Sequence, residues 1–215
     1  SKHTGQEALR VFVNTVLAQS WEEDEGDGVE TNDIMSRAEK FESVLPSKDI
    51  GVLCASADVQ ADRIEVLVNG YSANQTWIVG FQIFYGSPTS ESLWNEVEEY
   101  LKTTWPHPSG NDLRITRSFI DSGYETGAVY NFCKKLEALG VRAIKGVGGI
   151  NRAEVGRPTK NNTARCNVFP LGVNTLKTQI LARLKIDDPS NSGFINFPDF
   201  LDEEFFLQLT SERLI

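Results

Sequence analysis

Ile50-Gly51-Val52-Leu53-Cys54-Ala55-Ser56-Ala57-Asp58, then Val59-Gln60-Ala61-Asp62-Arg63, then Ile64-Glu65-Val66-Leu67-Val68-Asn69-Gly70-Tyr71, is the stretch that decides the fold. The first run is apolar, built of small residues, of strand length, and ends on a carboxylate. A few polar residues turn the chain. It returns as a strand in which Ile64, Val66 and Val68 alternate with Arg63, Glu65 and Asn69. The pattern predicts a buried strand with Asp58 at its tip. Aspartate is a poor strand former and is costly to bury without a partner, so this position needs a reason. A turn hydrogen bond within 58–63 supplies one, and a bound cation supplies another.

Downstream, the turn Ser72-Ala73-Asn74-Gln75 leads to a third strand over 76–84. Three consecutive strands with short connections are antiparallel. Residues 90–105 then place Leu93, Trp94, Val97 and Leu101 at helical spacing, with Pro106 as the stop. A strand over 113–121 ends Phe119-Ile120-Asp121. A helix over 128–139 turns Val129, Phe132, Cys133, Leu136 and Leu139 inward and ends at Gly140, and a strand follows over 141–144. Residues 146–165 read as a polar, Gly-rich loop too long for a simple connection, a length that marks function or disorder. Its opening, Lys145-Gly146-Val147-Gly148-Gly149, lacks the Gly-Lys-Ser/Thr ending of a phosphate-binding loop and reads as a hinge. A strand over 165–171, an N-capped helix over 174–184, a short strand over 194–197 and a helix over 202–209 complete the chain. Upstream, 32–45 reads as a short helix stopped by Pro46, and the acidic run through 22–33 as a tether. The expected division is 1–46 as linker and short helix, and 47–215 as the folded domain.

Composition narrows the chemistry. With 215 residues, 40% hydrophobic and 24% charged, the chain is that of an ordinary globular protein. No apolar run approaches the roughly 18 residues that span a bilayer, and no signal-type leader opens the sequence, so membrane attachment is not expected and a cytoplasmic location is. Cys54, Cys133 and Cys166 are odd in number, far apart and set in apolar patterns, as reduced core residues are. His3 and His107 offer neither a histidine metal site nor a Ser/His triad. Acid-base or metal chemistry must come from carboxylates. The net charge of −9 opposes general binding to nucleic acid, yet 134–165 holds Lys134, Lys135, Arg142, Lys145, Arg152, Arg157, Lys160 and Arg165 against Glu137 and Glu154. Trp77, Trp94 and Trp105 fit core positions better than base stacking.

Antiparallel strands followed by βαβ units predict a mixed α/β sheet with helices on both faces and right-handed crossovers. The strand ending in Asp121 then lies parallel beside the strand ending in Asp58, and both carboxylates emerge at the edge where open α/β sheets bind ligands. Such a pair repels unless it shares a proton or a divalent cation. Without histidine, hard oxygen ligands favour Mg²⁺ or Mn²⁺, which complete their shells with water and phosphate oxygens. Phosphodiester hydrolysis is the expectation. Asp62 and Glu125 lie close enough in sequence to support the pair, and Arg63, Lys145, Arg157 and Lys160 are candidates for phosphate contact.

The phrases Val11-Phe12-Val13-Asn14-Thr15-Val16-Leu17, Ala57-Asp58-Val59-Gln60-Ala61-Asp62-Arg63, Ile120-Asp121-Ser122-Gly123, Ile144-Lys145-Gly146 and Leu207-Gln208-Leu209-Thr210-Ser211-Glu212 resemble, in order and spacing, the C-terminal nuclease domain of the large terminase subunit of lambda-type tailed bacteriophages. The resemblance covers almost the whole chain. It implies an RNase H-like fold and a metal-dependent cut in double-stranded, concatemeric phage DNA during genome packaging. It makes Asp58 the first-strand metal ligand and Asp121 the second. It also implies an N-terminal ATPase domain in the parent chain, the small terminase subunit and the procapsid portal as partners, and the host cytoplasm as the place of action. The third acidic residue of the family pattern is expected beyond Ile215, with Asp187, Asp188 and Asp199 the first substitutes to test. A noncatalytic DNA-gripping or partner-docking module, or another RNase H-like enzyme such as a transposase or junction resolvase, are the alternatives.

Overall fold

The alternation over 50–71 folds as a hairpin at the centre of a sheet. In the computed structural model, which describes residues 29–149 and 151–211, β1 (Val52–Val59) pairs antiparallel with β2 (Arg63–Tyr71), and β2 with β3 (Thr76–Tyr85). Helix α2 (Glu91–Leu101) and the short β4 (Thr104–Trp105) lead to β5 (Leu113–Asp121), which lies parallel to β1 on its other side. Helix α3 (Thr126–Lys135) crosses to β6 (Val141–Val147), parallel to β5. The chain continues through β7 (Thr159–Lys160), β8 (Asn167–Gly172), α4 (Val173–Leu184), β9 (Ile195–Asn196) and α5 (Glu203–Ser211). α1 (Thr31–Met35) precedes the sheet. The strand order is β7-β8-β6-β5-β1-β2-β3-β9, with β4 beside β5. Across β3-β2-β1-β5-β6 only β2 is reversed, which is the RNase H-like arrangement.

The two faces carry different cores. On one, Leu53, Ala55, Ala57, Ile64, Val66 and Val68 pack under Leu93, Trp94 and Val97 of α2 and Val129, Phe132 and Cys133 of α3. On the other, Ile34 of α1, Leu184 of α4 and Phe206 of α5 cluster with Ile78, Phe197 and Leu201, with Leu67 and Phe81 packed against them. This second cluster lies towards β3 and leaves the carboxyl half of β1 open. β1 is therefore buried on one face only: Ala57 and Val59 are buried while Ser56 and Asp58 are exposed. Asp58 stands one residue inside the strand end rather than at its tip.

Several boundaries differ from the sequence reading, each because packing overrides local pattern. The helix expected over 32–45 stops at Met35. Ile34 joins the second cluster and Leu45 the main core, so the chain must pass from one face to the other. Arg37 holds that crossing by donating to the carbonyls of Leu184 and Ile195 at 2.8 and 3.1 Å. The helix over 90–105 ends at Leu101, and Trp105 reaches the core from a strand instead. The helix over 128–139 gives way to a 3-10 turn at Glu137–Leu139, leaving Leu139 53% exposed rather than inward. Gly140 then reverses the chain at φ 87, where a Cβ would meet the Thr116 carbonyl at 2.6 Å. α4 starts on Gly172 with no side-chain cap, and Asn174 sits inside its first turn. Asp202 does cap α5, accepting the Phe205 N–H at 3.0 Å.

The segment over 146–165 is not a free loop. β6 runs through Lys145 and Gly146 to Val147, so the expected hinge is paired strand. Beyond it, Gly156 donates its N–H to the Pro170 carbonyl at 2.8 Å, Val155 bridges Leu171, and β7 pairs with β8. The backbone is satisfied by the edge of β8 despite its polar side chains. Cys133 and Cys166 are buried thiols, Cys54 is half-buried, and Trp77, Trp94 and Trp105 are core residues.

One buried carboxylate joins the crossover helices. Glu98 of α2, 9% exposed, receives Lys102 at 2.6 Å and Lys135 of α3 at 2.7 Å. The hydrogen bonds from Lys102 and then Lys135 hold its carboxyl below the usual carboxylate range. A depressed folded value means stability that is present above the ordinary value and lost as pH falls through the folded one. Urea titrations from pH 6 to pH 3 are expected to show Glu98→Gln losing less stability on acidification than the wild type, by about 1 kcal/mol given that both lysines are half exposed. Parallel curves would remove Glu98 from the acid response.

Candidate active site

The parallel register of β1 and β5 ends with Ala57 opposite Ile120, so the next pair is Asp58 beside Asp121. Parallel neighbours are about 4.8 Å apart, which puts the two carboxyl groups on one face within reach of a single small ion. The same row extends outward: Glu65 of β2 is the cross-strand partner of Asp58, and Ile144 of β6 the partner of Asp121. Each aspartate is oriented by a neighbour two residues on. Gln60 donates its amide to Asp58 Oδ2 at 3.0 Å, and the Gly123 N–H donates to Asp121 Oδ2 at 3.2 Å. Ser122, fully buried, locks the turn after β5 by donating Oγ and N–H to the Ile144 carbonyl at 2.7 and 3.0 Å. A Cβ at position 123 would lie 2.9 Å from Asp121 Oδ2, so any larger residue there would have to displace that carboxylate oxygen.

Arg63 opens β2 on the same face as Asp58, one row nearer the edge. Its Nε donates to Glu65 Oε1 at 2.7 Å and its Nη1 to Asp62 Oδ1 at 3.1 Å, and these bonds, Glu65 first, raise its already high pKa. Asp62 is thus the partner of Arg63. Beside them, Arg63, Glu65, Tyr85, Glu204 and Gln208 border an open cleft of about 200 Å³ floored by Phe81, Ile83 and Phe205. That cleft lies a strand away from the aspartates.

The other candidates are spread out. Glu125 takes the left-handed conformation at φ 43 where α3 begins, and its carbonyl accepts the Val129 N–H. Lys145 follows Ile144, so it sits beyond the carboxylate row and alternates to the other face. Arg157 and Lys160 are exposed on the outer edge, three strands from β5 and about 14 Å away across the sheet. Three members of the basic segment serve structure: Lys134 pairs with Glu137, Lys135 with Glu98, and Arg142 donates to the Glu137 and Val141 carbonyls. Asp188 accepts the Ser190 N–H at 2.8 Å, close to where Gly193 meets Asn74 in the β2–β3 turn, and Asp199 donates its N–H to the Glu39 carbonyl. Asp187 and Asp188 therefore stand at the opposite end of the strands from Asp58, whereas Asp199 lies past β9 on the way to Asp202. Sequence reasoning passed over Gln60, Gly123 and Glu65, whose signal is spacing: each lies two residues from a proposed functional residue.

Among the described residues, no three His, Cys, Asp or Glu side chains come close enough together to hold a metal ion. The donor chemistry of the pair still fits one hard divalent cation, because each aspartate uses a single oxygen in its orienting bond.

The class of the domain is an RNase H-like sheet that carries two aspartates level at the carboxyl ends of its central parallel strands. More particularly, the chain belongs to the terminase large subunit gpA endonuclease domain family, whose model matches residues 1–215. It is 28% identical over 213 residues to the terminase large subunit of Enterobacteria phage P21 and 28% identical over 214 residues to that of Escherichia phage lambda. Each match covers 96% of this chain and 33% of the relative, so the chain spans about a third of the length of these curated relatives. The terminase nuclease domain of human cytomegalovirus, Mn-soaked and inhibitor-bound, is similar with a TM-score of 0.49 and 13% identity, covering 86% of this chain and 85% of that one. Among the described residues no helix is long and apolar enough to cross a membrane.

Proposed function

We propose that this domain is a divalent-metal-dependent endonuclease that cuts double-stranded, concatemeric phage DNA during genome packaging. The observation that carries the reading is the register that sets Asp58 beside Asp121 at the carboxyl edge of β1 and β5. Asp58 and Asp121 would hold Mg²⁺ or Mn²⁺, with Gln60 and Gly123 fixing the direction of each carboxylate. When bound, the cation supplies a Lewis acid for the phosphate and lowers the pKa of the attacking water. Arg63 would bind a phosphate oxygen beside the scissile bond and offset charge that builds there as water attacks phosphorus and the 3′ oxygen leaves. The open face over Ser56 and Asp58 leaves room for a duplex. In the parent protein the domain would work with an N-terminal ATPase domain, the small subunit and the portal, in the host cytoplasm.

A noncatalytic DNA-gripping module is the second reading, favoured by the absence, among the described residues, of a three-carboxylate group. Incubating supercoiled plasmid with the chain and Mn²⁺, with and without chelator and beside Asp58→Asn, separates the two. Chelator-sensitive nicking that Asp58→Asn loses supports the enzyme, and duplex binding without nicking supports the gripping module.

The outer edge carries its own prediction. Lys160 on β7 and Arg157 just before that strand are both exposed, and in this reading they would meet phosphates flanking the cut. Replacing both with Ala is expected to lower the slope of log K against log salt by about two, roughly one per lost phosphate contact. Titration of duplex binding at four salt concentrations gives the slope, and an unchanged value excludes both side chains.

A further inference from the structure

Glu65 lies at the centre of the carboxylate row, directly across from Asp58 and 12% exposed, yet its oxygen is committed to Arg63 at 2.7 Å. Arg63 is held from the turn as well, by Asp62 at 3.1 Å. A guanidinium fixed through Nε and Nη1 has its plane and direction set, and it still carries N–H groups outside those two bonds. Residues 63 and 65 share a face by strand alternation, and Glu65 is paired with Asp58, so both bonds hold the guanidinium at the face that carries Asp58. An arginine free on a surface loses that alignment to rotamer freedom, whereas a carboxylate bond at each side retains it without filling its donor set.

We propose that Glu65 is a positioning residue: together with Asp62 it orients Arg63 for a DNA phosphate beside the cation that Asp58 and Asp121 would hold. This rests on the nuclease reading above. Glu65 acts through Arg63 and touches no reacting atom. The arrangement also makes a sign prediction. If Glu65 were only a negative charge near DNA, Glu65→Gln would tighten binding and leave the salt slope unchanged. A positioning role requires the reverse in catalysis, because removing the carboxylate releases the arginine.

The test is a double-mutant cycle on the full chain with Mn²⁺ and supercoiled plasmid, using wild type, Glu65→Gln, Arg63→Ala and the double variant, with melting temperature measured for each. Glu65→Gln is expected to lower kcat about tenfold or more, the usual effect of removing an orienting partner, with KM little changed and the melting temperature retained. In the Arg63→Ala background the same substitution is expected to do nothing further. Duplex binding in chelator is expected to show the salt slope falling by about one for Glu65→Gln as for Arg63→Ala. The proposal is overturned if Glu65→Gln cuts like wild type, if it costs as much without Arg63 as with it, or if the slope stays unchanged. A wild-type chain that never nicks overturns the nuclease reading separately, and the slope in chelator still decides whether Glu65 directs Arg63. Should Glu65→Gln fail to fold, Glu65→Met, similar in length and uncharged, takes its place in the cycle.

Discussion

Asp58→Asn and Asp121→Asn are each expected to lower Mn²⁺-dependent nicking by at least about 10³-fold, the upper range for losing one group that stabilises developing charge. The magnitude follows from the pairing. Two carboxylates at neighbouring strand ends bind a cation together, and with one of them neutral the remaining monodentate ligand holds it weakly in water. Both folds are expected to survive. Asp58 is exposed and makes one hydrogen bond, to Gln60, which Asn can also make. Asp121 accepts one N–H, from Gly123, and Asn retains that acceptor. Removing one of two like charges also relieves repulsion in the metal-free protein, so melting temperatures without metal should stay level or rise slightly. Nicking within tenfold of wild type by either variant, with both folded, would remove that residue from the metal site.

The legible part of this chain was the part that local chemistry dictates. Alternation over 64–71, short turns and the helix-spaced apolar residues of 93–101 fixed the antiparallel start and the first crossover, and from these the neighbouring placement of β1 and β5 followed. What local pattern could not show was which face a helix would cover. β1 reads as apolar throughout because Ser56 and Cys54 are small, yet its Asp58 side is open, since the cluster made by the end of α4 and by α5 lies over β3 rather than over the carboxyl half of β1. The same limit explains 146–165. Its side chains are polar, but its backbone pairs with β8, the next strand along the chain, and ladder hydrogen bonds are made by backbone groups that side-chain polarity does not report. Trp105 takes the core position expected of it, but from a two-residue strand at β4 rather than from a helix, while a 3-10 turn carries Leu139 out. The site itself was half legible. Two aspartates at strand ends are visible in sequence, but Glu65 and Arg63 are an alternating polar face until β2 is laid beside Asp58.

The second cluster supports the wall of the cleft, and its removal is expected to be the largest single loss of stability. Phe206 is fully buried against Phe197 at 5.5 Å and Phe205 at 5.6 Å, in a group that also contains Ile34 and Leu184. Deleting a buried ring costs about 3–5 kcal/mol, a large share of the roughly 5–15 kcal/mol that holds a domain together. With a urea slope of about 1–3 kcal/mol/M, Phe206→Ala should bring the unfolding midpoint down by roughly 1–5 M. The loss should be uneven. α1 and α5 meet each other through this cluster and through the Thr31–Thr210 hydroxyl pair at 2.6 Å, whereas β1, β2 and β5 are anchored by α2 and α3 on the opposite face. Hydrogen exchange on Phe206→Ala should therefore show amides of α1 and α5 opening first while those of β1 stay protected. Because α5 carries Glu204 and Gln208 on the rim of the cleft next to Arg63, DNA binding should weaken before the aspartate pair is disturbed. Uniform loss of protection across both faces would show instead that the two cores unfold as one unit, and that the cleft wall is no softer than the sheet.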